Sequence, residues 1–224
     1  MMPGQPIALA GTVLAARPSG ALWWEAARLL CVADLHLGKS ERLARRGGTL
    51  LPPYETVETL ERLAAEVALL RPETVVCLGD SFDDSAAGAG LEAGAAAGLR
   101  AMAAGRDWLW LAGNHDPAAP ALGGRAAAEA FFAPLAFRHQ ADAGTASPEI
   151  SGHYHPKVRI SVKTRSVSRP CFLYDGHRVI LPAFGAYTGG LHADSPALAR
   201  LLGTGARAVV TGDPCVTLPL AALA

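Results

Sequence analysis

Three apolar runs in the first half of the chain each end on a residue type that commonly binds metals. The runs, each with the polar residue that follows it, are 28–33 with Asp34, 74–78 with Asp80, and 108–112 with Asn114. Short runs of this kind predict parallel strands that are buried on both faces. Ligands in open α/β sheets bind beyond the carboxyl ends of the strands. We therefore expect the three polar side chains to meet at one edge of a sheet.

Helical patterns separate these predicted strands. Apolar side chains recur at steps of three to four through residues 53–70, which predicts an amphipathic helix. Residues 86–104 and 125–132 carry weaker helical patterns and are also predicted to be helices. The first half of the chain is therefore expected to contain strand–helix–strand units.

Both ends of the chain favour β structure. Residues 7–15 and 21–25 are predicted to pair as a hairpin, because a Pro-Ser-Gly turn signal separates them. In the last third of the chain, short β segments flank an Asp-Gly turn signal at 175–176. No repeat or linker divides the sequence, so a single domain over residues 1–224 is expected.

The composition is that of a globular protein of ordinary polarity. Half of the 224 residues are hydrophobic, and 20 Lys and Arg residues balance 20 Asp and Glu residues. This balance argues against a disordered chain and against a polybasic nucleic-acid coat. The N-terminus lacks the basic and apolar regions of a signal peptide, and no membrane span is predicted. A cytoplasmic location without membrane contact is therefore expected.

Five short pieces of sequence supply oxygen and imidazole groups in order along the chain. They are Asp34-Leu35-His36, Gly79-Asp80, Gly113-Asn114-His115-Asp116, the single His139, and Gly152-His153-Tyr154-His155. Two Asp, one Asn and four His can hold a pair of divalent cations and leave positions open for water and a phosphate ester. Any one piece occurs by chance in many proteins, but all five in this order predict a two-metal site.

The carboxylates of the first two pieces have distinct expected roles. Asp34 and His36 would lie on opposite faces of a continuing strand, so they converge only if the chain turns just after Asp34. Asp80 offers two oxygens and can bridge two cations, while Asp83 is expected to orient a neighbouring ligand through hydrogen bonds. Taken alone, a solvated acidic loop would also explain Asp80 and Asp83.

The Gly113-Asn114-His115-Asp116 piece is the most specific of the five. Asn114 supplies a neutral amide oxygen to a cation. His115 cannot easily reach the same ion, and it is better placed to contact a substrate phosphate and protonate the leaving oxygen. Asp116 is expected to hold the His115 imidazole in one tautomer.

The other histidines divide into candidate ligands and ordinary residues. His153 and His155 would project to the same side of a strand, and a turn after the preceding glycine would split them between two ions. His139 has no local pattern, and an ordinary histidine at a strand end also explains it. His177 and His192 are expected to lie outside the metal site.

Together the five pieces resemble the motif set of the calcineurin-like metallophosphoesterase superfamily: D-x-H, G-D-x-x-D, G-N-H-D/E, a lone His and G-H-x-H. The sequence matches every element between Asp34 and His155. The resemblance implies an α/β fold, a four-layer α-β-β-α sandwich with two mixed β-sheets. It also implies two sets of metal ligands. One metal would take Asp34, His36, Asp80 and His155, and the other would take Asp80, Asn114, His139 and His153. His115 and Asp116 would form an acid–base pair.

Three longer segments are similar to the ligase-associated DNA damage response endonucleases. They are residues 33–39, residues 150–156, and residues 181–190 with their Leu-Pro-Ala-Phe-Gly and Thr-Gly-Gly motifs. This resemblance implies an endonuclease that cuts single-stranded DNA in DNA repair, with a repair ligase and a helicase as partners. Two metal ions would activate a hydroxide for attack on phosphorus. The mixed nitrogen and oxygen ligands suit Mn, Fe or Zn better than Mg, and Mn is expected mainly from the resemblance.

Two basic patches lie next to the ligand pieces. Lys39 and Arg42 follow the first piece, and Arg165 and Arg169 belong to a basic stretch that follows the last piece. Because the chain is neutral overall, affinity for DNA must come from local patches, and these four residues are expected to contact backbone phosphates. A solvated face explains each patch equally well on its own.

Two other functions fit parts of the pattern. A phosphoesterase that acts on a nucleotide or another small phosphate ester would use the same metal site, and it would cleave small esters but not oligonucleotides. A non-catalytic interaction scaffold would be expected to lack some ligands. All seven ligand candidates and His115 are present, which argues against the scaffold.

Overall fold

The first of two β-sheets carries its seven strands in sequence order. The computed structural model describes residues 4–45, 47, 54–116, 122–162 and 165–222, with only the backbone at 85, 162, 165 and 222. The strands of this sheet are β1 (Gln5–Leu9), β2 (Thr12–Ala16), β3 (Leu22–Trp24), β4 (Leu29–Val32), β5 (Thr74–Cys77), β6 (Asp107–Leu111) and β7 (Arg125–Ala127). Neighbours from β1 to β4 are antiparallel, whereas β4 to β7 run parallel. The three apolar runs form β4, β5 and β6, as their pattern predicted.

Helices connect the parallel strands and cover one face of this sheet. They are α1 (Lys39–Arg45), α2 (Glu55–Leu70), α3 (Ser85–Ala89) and α4 (Ala93–Ala103). Leu63 and Val67 of α2 are buried one turn apart, which confirms the predicted apolar face. The helix predicted at 86–104 is divided into α3 and α4, because α3 ends at Ala89 and residues 90–92 separate it from α4. No helix in the described ranges is long and apolar enough to span a membrane.

The second sheet has eight strands and is also mixed. Its path is β15 (Val216–Pro219), β14 (Arg207–Val210), β12 (Arg165–Tyr174), β13 (Arg178–Ile180), β10 (Glu149–Ser151), β9 (Leu135–Arg138) and β8 (Glu129–Phe132), and β11 (Lys157–Val162) pairs with β12 outside this path. β10 runs parallel to β9 and β13, and the other neighbours are antiparallel. The predicted turn at 175–176 joins β12 to β13.

Three apolar clusters set the order of the layers. Leu63 and Trp108 belong to the cluster between the helices and the first sheet. Phe137 lies in the cluster between the two sheets. The outer face of the second sheet packs against Leu198 of α5 (Pro196–Ala199). The predicted α-β-β-α sandwich with two mixed sheets is therefore confirmed, and in the described ranges its fourth layer contains only α5 and a short 3-10 turn around Leu220.

One predicted helix is wrong, and one predicted strand is divided in two. Residues 125–132 form the strands β7 and β8 instead of a helix, and in β8 Phe131 is exposed while Phe132 is half-buried. Pairing with neighbouring strands outweighs the helix propensity of the alanines here. The predicted hairpin between 7–15 and 21–25 is confirmed in the antiparallel pairing of β2 with β3. Its first strand is divided, because Ala10 and Gly11 turn the chain with positive φ and separate β1 from β2.

Candidate metal centre

The five ligand pieces meet at one edge of the two sheets. Asp34, Asp80 and Asn114 lie beyond the carboxyl ends of β4, β5 and β6 in the first sheet. His139 follows β9 in the second sheet, and the Gly-His-Tyr-His piece follows β10. The structure therefore brings together side chains that are far apart in the sequence, at the edge where α/β sheets bind their ligands.

Five ligand residues have their backbone in the left-handed region. The values of φ are 54° at Asp34, 46° at His36, 45° at Asp80, 69° at His153 and 45° at His155. Each such conformation costs a non-glycine residue on the order of 1–3 kcal/mol. Hydrogen bonds from Asp34 N to Gly79 O (3.3 Å) and from His36 N to Asp80 O (3.0 Å) hold the first turn. This turn is the one that the convergence of Asp34 and His36 required.

The first ligand cluster consists of Asp34, His36 and His155, whose ligand atoms lie within 4.8 Å of one another. His155 Nε2 lies 3.2 Å from Asp34 Oδ1 and 3.4 Å from His36 Nε2. Asp34 is fully buried, and its Oδ2 accepts a hydrogen bond of 2.9 Å from His153 N. Its Oδ1 has no hydrogen-bond partner among the described residues. A buried carboxylate oxygen without a hydrogen-bond partner, close to two imidazole nitrogens, is suited to binding a cation.

The second cluster consists of Asp80, His139 and His153, again with ligand atoms within 4.8 Å of one another. His139 Nε2 lies 3.4 Å from Asp80 Oδ2 and 3.1 Å from His153 Nδ1. His139 Nδ1 donates to the Leu78 carbonyl at 2.8 Å, which leaves the Nε2 lone pair for a metal. Asn114 Nδ2 lies 3.2 Å from His153 Nδ1, so a 180° rotation of the amide brings its oxygen into the cluster.

The donor chemistry of both clusters fits two divalent cations. Burial, reinforced by the neighbouring His139, lowers the pKa of His153 and favours the neutral imidazole that binds metals. The two clusters divide the ligands as the resemblance implied, except that Asp80 is grouped with the second cluster alone. The bridging role of Asp80 therefore stays a prediction. Neither His177 nor His192 belongs to a candidate metal cluster of the described residues.

Asp83 is buried beside the first cluster and contacts His36. Asp83 Oδ1 lies 3.0 Å from His36 Nδ1, and Asp83 Oδ2 accepts a hydrogen bond from Arg42 Nε. Burial raises the pKa of Asp83, but the close contacts with His36 and Arg42 outweigh burial and lower the pKa to about 2. The carboxylate is thus placed to fix the orientation of His36 and to direct its Nε2 at the first cluster.

The contact with Asp83 changes the interpretation of Arg42. This residue was expected to meet DNA phosphates, but its side chain is only 19% exposed and is paired with Asp83. Arg45, on the same helix, pairs with Asp84 and is 46% exposed. Lys39, the other predicted DNA contact of this patch, begins α1 and is half-buried. Arg42 is therefore placed to hold Asp83, and through Asp83 to hold His36, in position.

Replacing Arg42 with methionine is expected to weaken metal binding. Asp83 would lose a partner and His36 would be held less firmly, and the loss of such an outer contact typically lowers metal affinity roughly 10–100-fold. The affinity is measured by calorimetric titration of the chelator-stripped protein with Mn²⁺. Arg45→Met removes the same charge from the same helix and should bind metal like the wild type. Equal affinities for all three proteins would contradict the role of Arg42.

His115 lies beside the clusters, but it does not pair with Asp116 as predicted. His115 Nδ1 lies 3.0 Å from the Asp83 carbonyl, and His115 Nε2 lies 4.0 Å from Asp80 Oδ2. Asp116 turns inward, where its Oδ2 accepts a hydrogen bond of 3.0 Å from Phe82 N. Burial raises the pKa of Asp116 to about 7, although the Phe82 hydrogen bond opposes the rise.

The Asp83 carbonyl therefore orients the His115 ring, a role that had been expected of Asp116. A carbonyl oxygen only accepts hydrogen bonds, so it fixes the proton of His115 on Nδ1 and leaves Nε2 for the centre. The His115 side chain is 43% exposed, so a substrate can reach it. His36, Asp83 and His115 also lie close enough to form a third group of ligand atoms, which overlaps the first cluster at His36.

Close backbone approach requires glycine at two positions of the centre. A Cβ atom at Gly113 would lie 2.2 Å from Asp80 Oδ1, and a Cβ atom at Gly152 would lie 2.5 Å from Asp34 Oδ2. Any side chain at these positions would displace a carboxylate. This explains physically why glycine begins both the Asn114 piece and the His153 piece.

The two faces of the β11–β12 hairpin carry different basic residues. Opposite residues of an antiparallel pair share a face, so Arg169 lies on the face of Val158, whose side chain packs in the cluster around α5. Lys157 lines a cavity beside His155. The register therefore places Arg169 on the hairpin face opposite Lys157, which does not favour its predicted contact with DNA. The side chain of Arg165 lies outside the described residues.

Residues 181–190 belong to the narrower resemblance but had no expected role in the site. Phe184 N donates to Ala33 O at 2.8 Å, and Gly185 N donates to Asp34 O at 3.1 Å. A Cβ atom at Gly185 would lie 2.0 Å from Leu35 O. The segment is therefore packed directly on the first ligand piece. The motif was the available signal, but its contact with Asp34 could be seen only in the fold.

Comparisons with known proteins agree with this geometry. The family model described as calcineurin-like phosphoesterase matches residues 27–171, a range that contains every ligand candidate. A crystal structure of the Pseudomonas putida nuclease MPE matches with a TM-score of 0.75 and 28% sequence identity, covering 96% of this chain and 100% of that chain. No curated protein matches the chain significantly.

Proposed function

The chain belongs to the calcineurin-like phosphoesterase family, and we propose that it is an endonuclease that cuts single-stranded DNA in DNA repair. At the level of the family, it is a metal-dependent hydrolase of phosphoric esters with a dinuclear metal centre. The observation that carries the proposal is the meeting of two ligand clusters and an exposed His115 at one edge of the sandwich.

The protein groups of the centre have distinct proposed tasks. Two bound divalent cations would supply positive charge for the phosphate ester and would lower the pKa of a water molecule that attacks phosphorus. His115 Nδ1 donates a hydrogen bond to the Asp83 carbonyl, so Nε2 is the ring atom left for the substrate. The doubly protonated ring would give its Nε2 proton to the leaving oxygen and remain as the neutral imidazole with its proton on Nδ1. Asp83 and the Leu78 carbonyl hold the rings of His36 and His139, which limits rearrangement during turnover.

Manganese is the proposed metal. The two clusters combine carboxylate oxygens with four imidazole nitrogens. Mg²⁺ prefers ligand sets made of oxygen, whereas Mn, Fe and Zn accept imidazole nitrogen. Fe and Zn are the alternatives that a metal analysis of the purified protein would identify.

Single-stranded DNA is the proposed substrate class. The similar Pseudomonas putida protein is a nuclease, which supports a nucleic acid over a small ester. Lys157 adds a positive charge beside His155, where a phosphate of a longer substrate could bind. A repair ligase and a helicase as partners, the cytoplasm as location and a single domain over the whole chain are further proposals that rest on sequence alone.

With Mn²⁺ bound, the protein is expected to cleave a single-stranded oligonucleotide with a higher kcat/KM than bis(p-nitrophenyl) phosphate. A duplex of the same sequence should be cleaved more slowly. Activity on the small diester without activity on either form of DNA would instead identify a phosphoesterase for nucleotides or other small esters.

A further inference from the structure

A cavity of about 340 Å³ adjoins the metal centre. His155 forms part of its wall, so the cavity reaches a ligand of the first cluster. The remaining walls come from the turn at 18–20, from α2, from the segment 182–189, from the β11–β12 hairpin and from Thr211. The volume is at the lower end of the range of about 300–1,000 Å³ that is typical of pockets for small organic ligands.

The wall of this cavity is suited to an anionic ligand. Lys157 and Arg62 line it, and no Asp or Glu does so among the described residues, although Arg62 Nη1 lies 3.6 Å from Glu58 Oε1 outside the wall. Lys157 Nζ donates to Thr188 O at 3.3 Å, and an ammonium group has further protons to offer a phosphate. Ser168 and Thr188 add hydroxyl groups to the same wall.

The wall is also fixed relative to the metal centre. Gly185, next to Phe184, packs on the first ligand piece through its hydrogen bond to Asp34 O. The Arg62 guanidinium donates to Phe184 O and stacks over the Phe184 ring at 4.7 Å. A ligand in the cavity would therefore keep a constant position relative to His155, which is the requirement for positioning a substrate.

One exposed aromatic side chain completes the cavity. Tyr187 lines it and is 45% exposed, although large apolar side chains of this chain are mostly buried. An exposed aromatic ring beside basic groups is the combination that binds single-stranded nucleic acid, because bases stack on the ring while the cations meet the phosphates.

We infer that this cavity binds the nucleotide next to the scissile phosphate of a single strand. Lys157 contacts the phosphate of that nucleotide, and Tyr187 packs against its base. In a duplex the base is paired and stacked, so it must first leave the helix before it can enter the cavity. The inference rests on the proposed function and adds to it a structural reason for a preference for single strands.

The phosphate contact is tested with the Mn²⁺-loaded enzyme on oligothymidylate and on bis(p-nitrophenyl) phosphate. Lys157→Met should lower the ratio of the two kcat/KM values roughly tenfold, mainly through KM for the oligonucleotide. The log–log dependence of oligonucleotide binding on salt should become shallower by roughly 0.7. Arg169→Met is the matched control, because it removes one charge from the opposite face of the same hairpin and should leave the ratio unchanged.

The base contact is tested by comparing oligothymidylate with an abasic strand of the same length. Tyr187→Ala should weaken binding of oligothymidylate roughly fivefold or more, because stacking on an aromatic ring contributes at least that much per base. Binding of the abasic strand, which has no base to stack, should change less than twofold.

The outcomes separate the two proposals. Three results would overturn the inferred subsite while the nuclease function stands. They are a kcat/KM ratio in Lys157→Met equal to that of the wild type, a fall of this ratio in Arg169→Met as large as in Lys157→Met, and a loss of binding in Tyr187→Ala that is equal for oligothymidylate and the abasic strand. A wild-type enzyme that cleaves the small diester but no oligonucleotide would overturn the proposed function and the subsite with it.

Discussion

Replacing Asp80 with alanine is expected to leave less than one metal ion bound per chain. Asp80 Oδ2 lies 3.4 Å from His139 Nε2 in the second cluster, and the family resemblance assigns the same carboxylate to both ions. Loss of a shared ligand should weaken both sites, because each ion loses an anionic oxygen. The measurement is elemental analysis after equilibration with a fixed concentration of free Mn²⁺.

Asn114→Ala is the matched control for this experiment. Asn114 contacts His153 of the second cluster, so its loss should weaken one ion and spare the other. An Asp80 variant that keeps both ions would rule out the bridging role. An Asp80 variant that loses one ion, as Asn114→Ala does, would place the carboxylate in the second cluster alone.

Replacing His115 with alanine is expected to preserve the metal content and to lower turnover roughly 10²–10⁴-fold, the usual contribution of a general acid. The imidazole is 43% exposed and its Nδ1 is held by the Asp83 carbonyl, so its Nε2 is available to a substrate. Turnover is measured on a series of phosphodiesters whose leaving groups differ in pKa.

The size of this loss should depend on the leaving group. A nitrophenolate leaves without much help from a proton, so turnover of nitrophenyl esters should fall less in His115→Ala than turnover of alkyl esters. His177→Ala, which changes an exposed histidine outside both clusters, should behave like the wild type. An equal loss for every leaving group would indicate that His115 positions the substrate and does not protonate it.

The strands that carry the first ligands could be predicted because their signal is local. The apolar runs before Asp34, Asp80 and Asn114 can be buried only as central strands, and the carboxyl ends of parallel strands meet at one edge. The turn at Asp34 was recognised as a requirement. Its φ of 54° is held by hydrogen bonds to the loop after β5, which no local pattern could show.

Long-range pairing explains the elements that were missed. Residues 125–132 contain helix-favouring alanines, yet β7 lies beside β6 and β8 lies beside β9, and these pairings decide the conformation. His139 has no distinctive neighbours in the sequence. It reaches the centre because β9 runs parallel to β10, and the Leu78 carbonyl of the other sheet holds its ring.

Charge patterns were the least reliable guide to the site. A basic residue close to a ligand can serve a substrate or a buried acid, and the sequence does not distinguish the two. Arg42 pairs with Asp83, which lies 41 residues away. The strand register pairs Arg169 with Val158, on the hairpin face opposite Lys157, and the sequence alone does not show this.

The measurement that tests the two-metal nuclease most directly is the cleavage of circular single-stranded DNA by chelator-stripped protein. A circle has no ends, so a linear product reports an internal cut. We expect no product in EDTA, linear DNA followed by fragments after addition of Mn²⁺, and no cleavage by Asp80→Ala under either condition. Cleavage in EDTA, or cleavage by the Asp80 variant at the wild-type rate, would contradict a mechanism that depends on both metal ions.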